Sequence, residues 1–258
     1  MMAAADILGI AQDLLWHGFL IFLRVGPIMA LMPAFSEQSV PPRVKLILAL
    51  AFTLVVAPAI QPFGSGTPGS FTDLALYLAT ETIAGLAVGI GVRLFVLALQ
   101  TAGAIAAQST SLSQLLGGAA SEPLPAIGHV LVISGLALAM MTGLHIRMAQ
   151  LIVLSYEILP AGQFPDSRVL AAWGTGNVAR AFSLAFTLAA PFVILSVLYN
   201  ITLGVINRAM PQLMVAFVGA PVITAGGLIM LLLMSPLMLS VWIESLNLFL
   251  GNPFGATP

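Results

Sequence analysis

The stretch N-R-A-M-P-Q-L-M-V-A-F-V-G-A-P at 207–221 decides the fold class. Its cation, Arg208, is the only charged residue between Arg180 and Glu244. A charged side chain at membrane depth costs about 3 kcal/mol or more, so it normally faces protein or trapped water. Pro211 has no backbone N–H to donate, so a helix here is expected to kink or restart. The stretch therefore predicts a broken apolar helix that packs inside a protein assembly.

The residues after this proline extend the prediction. Gln212 can bond some of the backbone groups that the proline leaves unsatisfied. Further on, Gly219 and Pro221 predict a second interruption of the helical pattern.

Composition places the chain among integral membrane proteins. Of its 258 residues, 60% are hydrophobic and 7% are charged, whereas soluble domains carry about 25% charged residues. Long uncharged runs, together with 17 prolines and 24 glycines, favour closely packed and interrupted helices in a bilayer. We expect an all-α polytopic membrane protein of about six apolar helical segments that form hairpins. One membrane domain would cover residues 1–258, with a disordered tail at 251–258.

Several classes of function are disfavoured by what the chain lacks. Eight basic and nine acidic residues give a net charge of −1, so the basic surface of a nucleic-acid-binding protein is missing. The absence of cysteine removes disulfides, thiolate metal sites and cysteine nucleophiles. We do not expect the three histidines to form a metal site with carboxylates, and the serines do not belong to a G-x-S-x-G motif. We therefore expect no enzyme activity, no cofactor, no metal and no nucleic-acid partner.

The first apolar segment, residues 7–32, repeats the spacing of cation and proline seen in the stretch above. Arg24 precedes Pro27 by three residues, as Arg208 precedes Pro211. In both places the cation would lie beside a helix break. Arg24 either snorkels from a helix end toward the membrane surface or packs in the protein interior, and the residues leave both roles open.

A polar hinge with paired prolines follows the first segment. Pro41 and Pro42 end one helix and begin the next, with Pro42 near the first turn. Arg43 and Lys45 form the only local basic cluster, so the positive-inside rule favours a cytoplasmic hinge and an external N-terminus. The second apolar segment, residues 46–60, is short for a membrane crossing, which needs roughly 20 residues.

The third and fourth apolar segments are predicted at 71–107 and 126–159. In the third segment, Glu81 could pair with a cation on a neighbouring helix. This role is favoured over a proton relay, because no second buried carboxylate accompanies Glu81. The fourth is interrupted at T-G-L-H-I-R, where we interpret His145 and Arg147 as polar contacts at a helix junction. The two side chains are two residues apart and so do not share a helix face.

The stretch at 108–125 between these segments is polar and rich in small residues. Backbone at membrane depth must be buried in protein or line an aqueous cavity. The stretch is therefore either an ordinary surface connection or, at depth, a constriction or plug. After a loop at 160–168 that we expect to face solvent, a long helical pattern precedes the opening stretch. A last segment then runs to Leu250, with interruptions predicted at Pro236 and Glu244.

Four runs of residues are similar to the FliR family of flagellar biosynthesis proteins, which belongs to the T family of type III secretion export gates. The runs are R-V-G-P-I-M-A-L-M-P at 24–33, P-P-R-V-K-L-I-L-A-L at 41–50, G-L-H-I-R at 143–147 and N-R-A-M-P-Q-L-M-V at 207–215. The first and last are the specific ones, and the resemblance covers most of the chain. His145 stands alone where many relatives have two adjacent histidines, which puts a shared histidine role in doubt.

The resemblance implies the function of an export-gate subunit. Family members join FliP and FliQ subunits in a spiral complex, and FlhB wraps its entrance. Unfolded flagellar proteins pass through this complex. By resemblance, this chain would work with FliP-like, FliQ-like and FlhB-like subunits and with membrane lipid, in the bacterial inner membrane at the flagellar basal body.

The resemblance also assigns roles to particular residues. The stretch at 108–125 corresponds to the plug that helps to close the pore, and its gating residues would be Ser113, Gln114, Leu115, Leu116, Gly117 and Gly118. A second set would serve assembly or helix junctions: Arg24, Pro27, Pro41, Pro42, Arg43, His145, Arg147, Asn207, Arg208, Pro211, Gln212, Gly219 and Pro221. For the residues around Arg208 we favour stabilisation of the fold over contact with the exported substrate.

Other functions fit part of the same pattern. An injectisome export-apparatus homologue would share the resemblance. A small-solute secondary transporter would also combine broken helices with sparse buried charges. Against a transporter, the two halves of the chain show no convincing internal symmetry, and the charges in the apolar segments are isolated. A lipid-facing structural subunit is a further alternative.

Overall fold

The computed structural model of the chain describes residues 2–37, 40–62, 71–110, 126–210 and 215–255. Within these residues the secondary structure is helical, with no strand. The helices are α1 (Met2–Leu31), α2 (Pro42–Val56), α3 (Phe71–Thr110), α4 (Ala126–Met141), α5 (Leu144–Ile158), α6 (Ser167–Ala209) and α7 (Val215–Gly251). A short 3-10 turn, Ala57–Ala59, extends α2.

The all-α membrane class predicted from composition is confirmed. Five of the described helices are long and apolar enough to cross a membrane, and the broken pair α4 and α5 makes up to six. The second crossing is longer than expected, because it begins at Pro42 and runs to Ala59, which gives 18 residues. Pro42 occupies the first turn of α2, as predicted.

Prolines interrupt the helices less often than the sequence suggested. Pro27 lies inside α1, and Pro221 and Pro236 lie inside α7. The breaks predicted at Pro27, at Gly219 with Pro221, and at Pro236 with Glu244 are therefore wrong. A proline removes one backbone hydrogen bond, but unwinding the helix in lipid would leave several backbone groups unsatisfied. The break before Pro211 is confirmed, since α6 ends at Ala209.

Packing divides the chain into two compact units. The first comprises Met1–Leu94, Met140–Asn177 and Asn247–Pro258. Its core includes a buried ridge of α1 whose members recur at helical spacing: Ile21, Val25, Ile28 and Met29. This division into packing units does not test the prediction of one membrane domain over residues 1–258, which stays a prediction.

The tail of the chain closes against this first unit. Trp173 donates from its indole Nε1 to the carbonyl oxygen of Pro253 at 2.7 Å, and its ring stacks on Phe254 with centroids 5.3 Å apart. Pro253 and Phe254, which make these contacts, lie in the tail predicted to be disordered from residue 251. The disorder of 251–258 stays a prediction, and residues 256–258 lie outside the described part of the chain.

The second unit comprises Phe95–Ala139 and Val178–Leu246. Trp242 is fully buried in it, and its indole Nε1 donates to the carbonyl oxygen of Phe95 at 2.8 Å. An added Cβ at Gly135 would lie 2.6 Å from the Leu99 side chain, so this glycine makes room for Leu99, and it would lie at an ordinary contact distance of 3.5 Å from the Trp242 ring. The indole therefore ties α7 to α3 and packs beside α4 inside this unit.

Candidate functional site: a buried arginine cluster and the helix junctions

Arg24 is fully buried in the first unit. Its Nε donates to Glu81 Oε2 at 2.8 Å, and the two side chains are each 1% exposed. The structure thus decides between the two roles left open by the sequence, because Arg24 packs in the interior and does not snorkel. The pairing predicted for Glu81 with a cation on a neighbouring helix is confirmed.

The remaining donors of the guanidinium hold the end of α5. Nη1 donates to the carbonyl oxygen of Ser155 at 3.0 Å and to its hydroxyl oxygen at 3.3 Å. Nη2 donates to the carbonyl oxygen of Leu159 at 2.8 Å. Arg24 lies over the Tyr156 ring, 3.7 Å from its centroid. Because these carbonyls belong to the last turn of α5 and to the residue that follows it, Arg24 caps the negative end of that helix.

Glu81 uses its second carboxylate oxygen as well. Oε1 accepts a hydrogen bond from the backbone N–H of Gly162 at 3.1 Å. Gly162 has a φ of +72° and lies against the Tyr77 ring, which a larger residue would disturb. The loop at 160–168 was predicted to face solvent, and its residues are exposed or half-buried. The Glu81 carboxylate in addition holds the loop backbone at Gly162.

An open cavity of about 570 Å³ lies beside this cluster. Tyr156, whose ring contacts the Arg24 guanidinium, lines the cavity together with Tyr77, Gln61 and Glu157. Among the residues that the structure describes, no group of three His, Cys, Asp or Glu side chains is placed to hold a metal ion. The chemistry that the cluster shows is structural, since each charged atom holds another part of the chain.

The polar hinge lies at a second charged contact. Lys45 donates from Nζ to the Ser36 carbonyl oxygen at 2.7 Å, and Arg93 of α3 pairs with Glu37 at 2.8 Å. Arg43 in the first turn of α2 is exposed. The hinge is therefore tied to α3 by an ion pair that is about one quarter exposed on each side.

The helix junction predicted at 142–147 exists. Thr142 and Gly143 separate α4 from α5, and Gly143 has a φ of +84° that favours glycine. His145 is exposed and Arg147 is half-buried. The structure therefore places both on α5 after the break, and a role for either in contacting another subunit stays a prediction.

The opening stretch begins in the last turn of α6. Asn207 and Arg208 are exposed, and the cation lies near the negative end of the helix. Within the described residues Arg208 forms no ion pair. Pro211 and Gln212 lie outside the described residues, so the roles predicted for them stay predictions.

Gly219 in α7 lies directly under the Tyr199 ring of α6, where an added Cβ would overlap the tyrosine hydroxyl. This contact explains a glycine at the position without a helix break. Pro221 follows two residues later within the same helix. Gly219 therefore belongs to the packing of α7 on α6 in the second unit, whereas Pro221 is exposed.

The predicted gating residues, Ser113 to Gly118, lie outside the described part of the chain. The preceding residues 108–110 were predicted to be non-helical and instead form the last residues of α3. Thr110 is buried, and its hydroxyl donates to the Ala106 carbonyl oxygen at 3.0 Å. This bond within the helix lets a polar side chain continue α3 into the stretch.

Comparison with known proteins places this geometry in a family. The model for bacterial export proteins, family 1, matches residues 15–249. The chain belongs to the FliR family. The flagellar biosynthetic protein FliR of Caulobacter vibrioides is 34% identical over 227 residues, which cover 87% of this chain and 90% of that protein. FliR of Escherichia coli is 30% identical over 220 residues, covering 83% and 82%, and FliR of Aquifex aeolicus is 27% identical, covering 88% of each.

Membership of the FliR family and the apolar helices together identify an integral membrane component of a flagellar export apparatus. FliR proteins belong to a protein export family and not to an enzyme family. Sequence reasoning found Arg24 and Glu81 but missed Ser155, Tyr156 and Gly162. These three lie more than 70 residues from the charges that they contact, and no local motif marks them.

Proposed function

We propose that this chain is a subunit of the flagellar type III protein export gate. With FliP-like and FliQ-like subunits it forms the channel that passes unfolded flagellar proteins across the inner membrane, and an FlhB-like subunit lies at the entrance. The observation that carries this proposal is the family match over residues 15–249. The FliR relatives are all named as flagellar proteins, which favours a flagellum over an injectisome.

The length of α6 supports assembly with other subunits. Its 43 residues extend about 65 Å, whereas the hydrocarbon core of a bilayer is about 30 Å thick. Within the second unit, exposed apolar side chains of α6 recur from Val178 to Val205, a distance of about 40 Å. At the average tilt of about 20°, this stretch would still span about 38 Å, which is longer than the hydrocarbon core. We infer that protein covers the remainder.

The burial of the long helices points the same way. In α3, 56% of the most apolar stretch is buried, against 22% in α6 and 17% in α7. The exposed residues of α6 in the second unit form a stripe at spacings of four and seven residues: Val178, Phe182, Phe186, Val193, Val197, Ile201 and Val205. We call this the α6 stripe, and we propose that a partner subunit packs on it.

Co-purification tests the proposal directly. The tagged chain is expressed with and without the genes for FliP-like and FliQ-like subunits, extracted in mild detergent, and its mass is determined. We expect a large complex with one copy of this chain and several copies of the small subunits. A stable monomer or homodimer that accumulates a small solute in liposomes would overturn the export function.

A matched pair of variants tests whether protein or lipid covers the α6 stripe. Val197→Trp adds a large apolar side chain, which lipid accommodates but a packed subunit interface does not. Val197→Leu is the control, because it changes the volume little. We expect Trp to lower the yield of the complex and Leu to leave it unchanged. The same pair of substitutions is made at Phe182 and at Ile201. Equal yields of the complex for the Trp and Leu variants at all three positions would show that the stripe faces lipid.

A further inference from the structure

Glu81 and Arg93 of helix α3 have opposite charges, and both are paired with the first part of the chain. Glu81 binds Arg24 of α1 at 2.8 Å, and Arg93 binds Glu37 in the turn after α1, also at 2.8 Å. The first pair is buried, and the second is about one quarter exposed. The two pairs therefore connect the same two parts of the chain at two different heights.

Between the two ion pairs the backbones of α1 and α3 are in close contact. An added Cβ at Gly85 would overlap the Arg24 carbonyl oxygen, and one at Gly89 would lie 3.1 Å from the Leu31 Cβ and 3.3 Å from the Ile28 Cα. Residues with higher numbers on α1 thus contact residues with higher numbers on α3, so the two helices run parallel. Small residues permit this close approach, but a smooth contact does not by itself prevent a shift along the axis.

The order and spacing of the charges match only one alignment. Glu37 follows Arg24 by 13 residues, and Arg93 follows Glu81 by 12. A shift of one helical turn, about 5.4 Å, would leave Arg24 and Glu81 buried without each other. Reversing one helix would bring like charges to the same height. Both alternatives are disfavoured because an uncompensated buried charge is strongly destabilising.

We propose that the two ion pairs form a register lock that selects the alignment of α1 against α3. Selection of register is the best-attested role of buried charged and polar groups. Glu81 also holds Gly162, and Arg24 holds the last turn of α5. The lock therefore sets the height at which α5 and the loop after it join the first unit.

The alternative is that Arg24 and Glu81 only satisfy each other, while packing sets the alignment. Introduced cysteines separate the two explanations, because the chain has no cysteine of its own. Leu31→Cys with Gly89→Cys reports the observed alignment, since disulfides form at Cβ separations of about 3.5–4.5 Å and these positions are near that range. Leu31→Cys with Val92→Cys reports a shift of about one turn.

Both cysteine pairs are placed in full-length chains in membranes, and the disulfide yields are compared after mild oxidation. Arg24→Met with Glu81→Leu replaces the inner pair by apolar groups of similar size. We expect this neutral pair to lower the Leu31–Gly89 yield and raise the Leu31–Val92 yield. Glu37→Arg, in the outer pair, should shift the ratio in the same direction, and adding Arg93→Glu should restore it.

The chain with Arg24→Met and Glu81→Leu could fail to accumulate in membranes. The outer pair, Glu37 with Arg93, then keeps the test decisive, because this pair is partly exposed and its variants destabilise the chain less. A changed ratio in either variant supports the lock. If the ratio of the two disulfide yields is the same as in the parental chain, both with the neutral inner pair and with Glu37→Arg, the register lock is overturned. Packing alone would then set the alignment. With no accumulating inner variant, a parental ratio in Glu37→Arg overturns the lock.

Discussion

The backbone of Gly103 in α3 packs directly on the backbone of Gly128 in α4, within the second unit. An added Cβ at Gly103 would overlap the Gly128 Cα and lie 2.9 Å from its nitrogen. The reverse substitution has space, because an added Cβ at Gly128 would lie 3.5 Å from the nearest atom of Gly103. At this contact, a side chain can therefore be added at Gly128 but not at Gly103.

This asymmetry predicts opposite results for two alanine substitutions. Gly103→Ala should destabilise the chain by about 1–3 kcal/mol, because a backbone neighbour cannot rotate away from the new methyl group. Gly128→Ala should be neutral or stabilising by up to about 1 kcal/mol, since alanine is the better helix former. Unfolding of the purified chain by a denaturing detergent measures both. Equal effects of the two variants would contradict the observed geometry.

The two ion pairs differ in burial and should differ in their contribution to stability. Glu81→Gln leaves the buried Arg24 without a countercharge, which should cost about 3 kcal/mol or more. Glu37→Gln removes the partner of the partly exposed Arg93 and should cost less than about 1 kcal/mol. Both substitutions keep the side-chain shape, so each serves as the control for the other. The same unfolding titration gives both values, and a larger loss for Glu37→Gln would contradict the assignment.

The indole of Trp173 should protect the tail from proteolysis. Trp173→Phe removes the donor to the Pro253 carbonyl oxygen, a bond worth about 1 kcal/mol net. We expect faster cleavage of a C-terminal tag by a nonspecific protease. Trp242→Phe is the matched control, because it also removes an indole bond to a backbone carbonyl, at Phe95. Equal acceleration by both variants would indicate general loosening of the fold.

The gating role predicted for residues 113–118 is tested by deletion. Removing Leu115–Ala120 should increase ion leak through the assembled gate while the subunits still associate, because the closing segment would be shorter. Leak is measured in membranes that contain the assembled complex, and co-purification confirms assembly. An unchanged leak in assembled complexes would contradict the plug.

The membrane class and the main helix boundaries followed from local features of the sequence. A chain with 60% hydrophobic and 7% charged residues can bury its backbone in lipid only as helices or closed barrels, and its apolar runs have helical length. Helix α6 ends at Ala209, before the proline, as expected, and Pro42 at the start of α2 and Gly143 between α4 and α5 also acted as expected. Each acts through its own backbone geometry, which does not depend on distant residues.

The same local rules overstated the effect of other prolines. Pro27, Pro221 and Pro236 lie inside helices, because lipid and neighbouring helices make unwinding more costly than one missing hydrogen bond. Whether a proline ends a helix thus depends on what surrounds it. That information is not contained in the residues beside the proline.

The sequence by itself determined that Arg24 and Glu81 were unusual, since each is a charge in an apolar segment. Only the tertiary structure decided that they bind each other, 57 residues apart, and that Arg24 also caps α5 while Glu81 holds Gly162. The physical reason is that a charge in an apolar segment of a membrane protein needs a partner. The residues around the charge show this requirement, but they do not show which distant residue is the partner. Packing of α1 against α3, made possible by Gly85 and Gly89, brings the two charges to the same height.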